Sequence, residues 1–256
     1  MSSLQQKVLF WGAVTGLSSV ILGGCYYLYT FFADEEEDDD IFNNEEGVYD
    51  EKGTLTSKGL ALLMVKMNKL AQYYFKKEYP NKDEERRKAI DNEDAYMKLC
   101  QESMEIFQIT YQAASKEILS KLPKYLSFEE FQAQIQKIDP QELEDLNLQQ
   151  YEIEKEDEIE PAKAKEAFIY YAKLFLEKMD AFQKKCEQIQ NPDPNIQNLL
   201  IIEMLANKMK CDDMLYLKYK TKEEVTKVTL YKNHMLLDPE IKALTDKMKE
   251  YDNGPH

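Results

Sequence analysis

Near its N-terminus the chain has a run of 26 uncharged residues, 8–33, that ends directly in an acidic stretch. At a rise of about 1.5 Å per residue, a helix of that length reaches about 39 Å, which exceeds the roughly 30 Å hydrocarbon core of a bilayer. Trp11 lies near one end of the run, and Tyr26, Tyr27 and Tyr29 lie near the other. Because such amphipathic rings favour the two headgroup boundaries, we predict an uncleaved transmembrane anchor over residues 8–33.

Two other interpretations of the apolar run fit less well. A cleaved signal peptide has an apolar region of about 7–15 residues and a small residue three positions before the cleavage point. This run is longer, and Phe31 occupies that position before the 33–34 junction. Residues 22–25, Leu-Gly-Gly-Cys, are similar to a bacterial lipoprotein processing site, but residues 26–32 stay apolar where a lipoprotein turns polar. Length and polarity therefore both favour an anchor that is retained.

Small residues recur at helical spacing along one face of the predicted anchor, at Gly12, Gly16, Ser19 and Gly23. Small side chains allow the backbone of a second helix to approach closely within the bilayer. We therefore predict that this face packs against a neighbouring membrane helix.

The charges that flank the anchor predict its orientation. Lys7 is the only charged side chain before residues 8–33, and Lys52 is the first basic residue after them. The positive-inside rule then places the short tail, residues 1–7, on the cytoplasmic or matrix side. The bulk of the chain is expected on the opposite side of the membrane.

The acidic stretch after the anchor consists of Asp34, Glu35, Glu36, Glu37, Asp38, Asp39 and Asp40. Residues 34–51 hold 11 acids and no base, and residues 142–160 hold nine acids and one lysine. These two segments account for the net charge of −15, so the remaining residues are nearly neutral. Nucleic-acid binding is not expected, because it needs a concentrated basic face.

Three interpretations of residues 34–40 stay open. The favoured one is a solvated spacer, since a segment this charged cannot bury enough apolar surface to fold alone. A spacer of about 20 residues has a mean reach of roughly 25 Å. The second interpretation is an electrostatic dock for a basic partner protein, and the third is diffuse binding of divalent cations.

Beyond residue 55 the sequence predicts helices only. Apolar residues recur every three or four positions between residues 164 and 189, and no window shows sustained period-two alternation. We predict an all-α fold: a single N-terminal transmembrane helix, an acidic linker and a domain of about seven to eight helices. The predicted divisions are a tail 1–7, an anchor 8–33, an acidic linker 34–55, helical group one 56–141, an acidic connecting segment 142–160 and helical group two 161–256.

One segment is similar to the end of a calcium-binding EF-hand loop. Residues 126–131 read Leu-Ser-Phe-Glu-Glu-Phe, with Glu130 in the last ligand position. The first, third and fifth ligands would then be Leu119, Lys121 and Pro123, which cannot hold calcium. We predict instead that Ser127 and Glu130 form a capping box at the start of a helix.

The sequence offers no assembled catalytic site. The chain has two histidines, His234 and His256, and only eight glycines, so neither a histidine-based nucleophile nor a phosphate-binding glycine loop is indicated. Only Arg86 and Arg87 are arginines among 33 basic residues, so bidentate clamps for carboxylate or phosphate are nearly absent. We expect no catalytic residue, no cofactor and no metal. An enzyme that works with surface carboxylates is the least favoured interpretation.

These features together predict a non-enzymatic, membrane-anchored accessory or assembly subunit of a multi-subunit membrane complex. Its expected partners are other subunits, the lipid bilayer and a basic protein at the acidic linker. A short uncleaved N-terminus and a single anchor suit subunits of respiratory-chain or ATP synthase type in the mitochondrial inner membrane, by analogy alone. The alternative is a stand-alone tether or adaptor of the secretory pathway, in the endoplasmic reticulum or plasma membrane.

Overall fold

The computed structural model describes residues 47–122, 126–135, 138, 140–151, 153, 157–189 and 194–252. Within these ranges all named elements are helical, so the all-α prediction is confirmed. The tail, the anchor and linker residues 34–46 lie outside the described residues, so the transmembrane helix and this part of the linker stay predictions. None of the helices in the described ranges is long and apolar enough to cross a bilayer.

The described ranges contain nine α-helices and one short 3-10 helix, where the sequence predicts about seven to eight helices. The α-helices are α1 (Ser57–Glu78), α2 (Lys82–Lys88), α3 (Glu93–Ser120), α4 (Phe128–Ile135), α5 (Pro140–Gln150), α6 (Pro161–Gln188), α7 (Pro194–Tyr219), α8 (Glu223–Lys232) and α9 (Pro239–Asp252). The 3-10 helix, Met235–Leu237, lies between α8 and α9.

The helices divide into two compact units. The N-terminal unit contains the described residues of 47–81 and 103–151, and the C-terminal unit contains those of 82–102 and 153–252. Residues 82–102 therefore group with the C-terminal helices. The predicted helical groups 56–141 and 161–256 stay predictions.

In the N-terminal unit, a tight loop caps α1. The hydroxyl of Thr56 accepts a hydrogen bond from the Gly59 amide at 3.1 Å and donates one to the Gly47 carbonyl at 2.6 Å. Gly59 lies so close to the Val48 carbonyl oxygen that an added Cβ would overlap it. The loop therefore requires glycine at position 59, although glycine weakens a helix.

The helices of the N-terminal unit bury the apolar face of α1 against α4 and α5. The predicted capping box at the start of α4 is confirmed. The Glu130 amide donates to the Ser127 hydroxyl at 3.2 Å, and the Ser127 amide donates to the Glu130 carboxylate at 2.9 Å. These two bonds use the residues that resemble an EF-hand, so their role here is to start a helix.

In the C-terminal unit, α6 is the central helix and packs against α7, α8 and α9. The periodic apolar residues expected on one face of this helix are buried: Ala164, Phe168, Tyr171, Phe175, Met179, Phe182 and Cys186. Burying each large side chain of this kind stabilises the fold by about 1.5–3 kcal/mol. Helix α7 also packs against α2, so it meets neighbours on two sides.

Candidate functional site

Both arginines of the chain bind one buried carboxylate. Arg86, in α2, donates to the two oxygens of Asp213 in α7, from Nε to Oδ2 at 2.6 Å and from Nη2 to Oδ1 at 3.0 Å. Arg87 donates from Nε to Oδ1 of the same aspartate at 3.2 Å. The exposed fractions of the three side chains are 4%, 18% and 1%, in the order Arg86, Arg87, Asp213.

Two further groups complete this ion network. The hydroxyl of Tyr96, in α3, donates to Asp213 Oδ2 at 2.8 Å, and Asp83 Oδ1 lies 3.0 Å from Arg86 Nη1. Burial, and next the Asp213 charge, raise the pKa of Tyr96 well above its usual value, so its hydroxyl stays a donor. Asp213 thus accepts four hydrogen bonds, which hold α2 and the start of α3 against α7.

The network also fixes the position of Arg87 at the surface. The guanidinium of Arg87 lies 3.7 Å from the ring centroid of Tyr216, which is almost one turn beyond Asp213 in α7. A planar guanidinium stacked on a tyrosine ring gains cation–π attraction. The buried carboxylate therefore orients an arginine whose other face meets an aromatic ring.

Around this stacked pair lies a surface that we name the cationic tyrosine patch. Its members come from α2, α6, the C-terminal end of α7 and the residue directly after α7: Arg87, Tyr170, Tyr216, Leu217, Lys218, Tyr219 and Lys220. The ammonium of Lys218 lies 3.9 Å from the Tyr170 ring centroid and 5.3 Å from that of Tyr219, and these two rings are 5.7 Å apart. The patch therefore contains two groups of contacting side chains, one around the Tyr216 ring and one around the Tyr170 and Tyr219 rings.

The end of α7 explains why the patch has this form. Lys220 has a left-handed backbone (φ 56) directly after the helix, and its ammonium lies 5.6 Å from the Tyr216 ring centroid. Leu217 is 42% exposed beside these charges. Cations at a helix C-terminus are favoured by the helix dipole, which gives Lys218 and Lys220 a local structural reason to lie there.

Lys218 and Lys220 form no ion pair within the part of the chain that the structure describes. Lys222, two residues further on, lies 3.3 Å from Asp157. Burial raises the pKa of Tyr170, so its ring carries no negative charge at neutral pH. The patch thus presents two uncompensated ammonium groups, three tyrosine rings and one exposed leucine.

Metal-ligating groups and cysteines of the described residues were the other candidates for a reactive site. In the described ranges, no group of three histidine, cysteine, aspartate or glutamate residues is placed to hold a metal ion. Cys100, Cys186 and Cys211 are buried free thiols. Burial raises the pKa of Cys100 to about 12 and that of Cys186 to about 11, so both are protonated at neutral pH and react weakly.

Comparisons of the chain with protein-family models, with curated proteins and with solved structures find no significant match. The function of this chain is therefore inferred from its own residues.

The site residues predicted from the sequence lie outside the described residues and stay predictions. They comprise the packing face, the interfacial aromatic residues and the acidic stretch: Gly12, Gly16, Ser19, Gly23, Trp11, Tyr26, Tyr27, Tyr29 and residues 34–40. Neither the ion network nor the cationic tyrosine patch was predicted from the sequence. Two signals could have indicated them: the chain's only arginines are adjacent, and aromatic and basic residues alternate over 216–220.

Proposed function

We propose that this chain is a non-enzymatic, membrane-anchored accessory or assembly subunit of a multi-subunit membrane protein complex. The observation that carries the proposal is the uncharged run 8–33 followed at once by seven acidic residues. The run is long enough to span a bilayer, and the acids after it keep the rest of the chain in water. The proposed setting is the mitochondrial inner membrane, with a complex of respiratory-chain or ATP synthase type.

Two features of the helical units support a role in assembly. Large apolar side chains stay exposed: Ile109 in α3 is 67% exposed, Leu199 in α7 is 64% exposed and Leu237 is 80% exposed. Neighbouring subunits would cover such side chains. Two deeply buried charges, those of Arg86 and Asp213, satisfy each other, which is the behaviour of a scaffold and leaves them no role toward a substrate.

The native mass of the tagged full-length chain after extraction in mild detergent tests the proposal. We expect a particle of many hundreds of kilodaltons with a fixed set of co-migrating proteins. A particle near the chain mass of 30.1 kDa plus detergent would contradict the subunit proposal and favour a stand-alone tether or adaptor.

The predicted packing face of the anchor can be tested in the same assay. Replacing Gly12 and Gly16 together by leucine should detach the chain from the complex, because the added side chains prevent close helix approach. Val14→Leu is the matched control, since position 14 lies about 200° around the helix from position 12. If the double glycine variant co-migrates like the control, the packing face is wrong.

A further inference from the structure

We propose that the acidic run 34–40 docks on a stripe of lysines along one face of α1. The inference goes beyond the proposed function and does not depend on a membrane anchor. Residues 34–46 directly precede Gly47, where the described part of the N-terminal unit begins, and α1 belongs to that same unit. The run would then have a partner within its own chain, in place of being a solvated spacer.

The C-terminal half of α1 has a face that carries only lysines and one tyrosine. Successive residues of a helix are rotated by about 100°, so positions 66, 69, 73, 76 and 77 fall within an arc of roughly 100°. We name these residues the lysine stripe: Lys66, Lys69, Tyr73, Lys76 and Lys77. Tyr73 is 40% exposed. Lys76 and Lys77 are exposed, and the other two lysines are half-buried.

The side chains of the stripe lie close together along the helix. The Lys77 ammonium donates to the Tyr73 hydroxyl at 3.4 Å and lies 5.3 Å from the centroid of that ring. Lys66 and Lys69 are three positions apart, and like charges at this spacing on a helix repel each other. Helix α1 has no acidic residue before Glu78. An anionic segment that lies along the stripe would therefore relieve repulsion among its lysines.

The chain's own acidic segment has the complementary charge. Residues 34–46 contain nine acids and no base, and seven of the acids are consecutive. Such a run repels itself and gains from contact with a surface of opposite sign. A segment that is covalently joined close to its site acts at an effective concentration of about millimolar, so it has an advantage over any free anion.

The place where the segment joins the unit brings it within reach of the stripe. Gly47 lies beside Lys58 in the first turn of α1, because a Cβ added at Gly47 would be 3.9 Å from Lys58 Cδ. Along the helix axis, the stripe begins about 12 Å and ends about 29 Å beyond Lys58. Residues 34–40 are 7 to 13 positions before Gly47. An extended chain of those lengths reaches at most about 25–47 Å, which is enough to cover the whole stripe.

Carbodiimide cross-linking of the full-length chain in mild detergent, followed by mass spectrometry, tests the proposal. The reagent joins a carboxylate to a lysine amine as an amide, with loss of water, when the two groups are in contact. An equal mixture of isotope-labelled and unlabelled chains distinguishes links within one chain from links between chains. Lys116, an exposed lysine of α3 in the same unit, is the internal reference.

We expect residues 34–40 to be linked to the lysine stripe within one chain and rarely to Lys116. High salt should reduce these links, because it screens exposed charges. Lys76→Gln with Lys77→Gln keeps the helix propensity and should lower the links at the two remaining lysines of the stripe. Two exposed ion pairs together change an equilibrium by roughly two- to thirty-fold, which is the expected decrease.

Two further variants separate a loss of docking from a loss of folding. Asp38→Asn, Asp39→Asn and Asp40→Asn together change no residue that the structure describes, and they should also lower the links between residues 34–37 and the stripe. The matched control is Lys184→Gln with Lys247→Gln, which removes two exposed lysines of the C-terminal unit. The control should leave the links to the stripe unchanged.

Three results would overturn the inference. Links to Lys116 as frequent as those to the stripe, or links unchanged by the substitutions in α1, would mean that the run is a solvated spacer. Links mainly between labelled and unlabelled chains would indicate docking on a second copy. Links mainly to Lys218 and Lys220 would identify the cationic tyrosine patch as the site. The proposed function is tested separately by the native mass, so the two can fail independently.

Discussion

Replacing Asp213 by asparagine should destabilise the C-terminal unit more than any other single loss of charge there. The substitution keeps the size of the side chain but removes the charge that faces Arg86 and Arg87. It also places an amide donor where one carboxylate oxygen now accepts from nitrogen or hydroxyl donors. The Arg86 side chain, which is only 4% exposed, then loses its main counterion.

The size of the stability loss depends on how well the two arginines can be solvated or paired once the Asp213 charge is gone. Removing one partner of a buried ion pair destabilises a protein by about 3–5 kcal/mol. Arg87 can turn toward water because it is 18% exposed, and Asp83 stays 3.0 Å from Arg86 as a second, more exposed anion. We therefore expect the lower end, about 3 kcal/mol, which lowers the unfolding midpoint by about 6–12 °C for a chain of this size.

Thermal unfolding of the full-length chain in mild detergent, followed by far-ultraviolet circular dichroism, measures this loss. The matched control is Asp246→Asn, because Asp246 pairs with Lys242 where both side chains are more than half exposed. The control should shift the midpoint by less than about 2 °C. Equal midpoints for the two variants would refute the argument from burial. Arg86→Met combined with Asp213→Leu should recover part of the loss, since it leaves no buried charge unpaired.

Three further substitutions and one alkylation experiment also test the fold. Tyr96→Phe removes a hydrogen bond to a buried carboxylate and should destabilise by about 1.5–3 kcal/mol. Tyr171→Phe should be neutral or stabilising, because the Tyr171 hydroxyl is buried with no hydrogen-bond partner among the described residues. Gly59→Ala should lower the unfolding midpoint, although alanine is intrinsically better in a helix by about 1 kcal/mol. Cys100 should resist alkylation from neutral pH to about pH 9 in the folded chain, since burial raises its pKa to about 12.

Each of these expectations has an outcome that contradicts it. Equal losses for the two tyrosine variants would mean that the hydrogen bond of Tyr96 is not the source of its effect. A raised midpoint for Gly59→Ala would show that helix propensity outweighs the overlap with the capping loop. For Cys100, the thiol has a higher pKa in the folded chain than in the unfolded chain, and this determines how folding stability changes with pH. The protonated thiol favours folding, and its stabilising contribution is lost as pH rises from about 9 toward 12. Rapid native alkylation below that range would contradict this.

Local patterns in the sequence were enough to predict much of the helical fold. The apolar residues of α6 recur at helical spacing, and the structure buries them along one face. The Ser127–Glu130 capping box depends on residues three positions apart, so its two hydrogen bonds could be predicted from sequence alone. Boundaries between helices were harder, because α2 and the following turn combine charge, exposure and short length, and the number of helices was underestimated.

The candidate site depended on long-range contacts. Arg86 and Asp213 are separated by 127 positions, and no periodic pattern connects them. The adjacent arginines were visible in the sequence, but the prediction that bidentate clamps are nearly absent gave no reason to search for their shared partner. The alternation of rings and lysines at 216–220 was likewise visible, yet only the packing of α6 and α2 beside α7 adds Tyr170 and Arg87 to it.

Residue patterns in the sequence were enough to predict the helical class, the capped start of α4 and, from the uncharged run, an anchor, because each depends on residues within one or two turns or on composition. The tertiary structure decided which charges are buried and which surface they support. That outcome depends on helices distant in the chain meeting, where desolvation makes Asp213 and its two arginines satisfy one another. It leaves Lys218 and Lys220 as uncompensated charges at the end of α7, and this difference in burial could not be read from residue type.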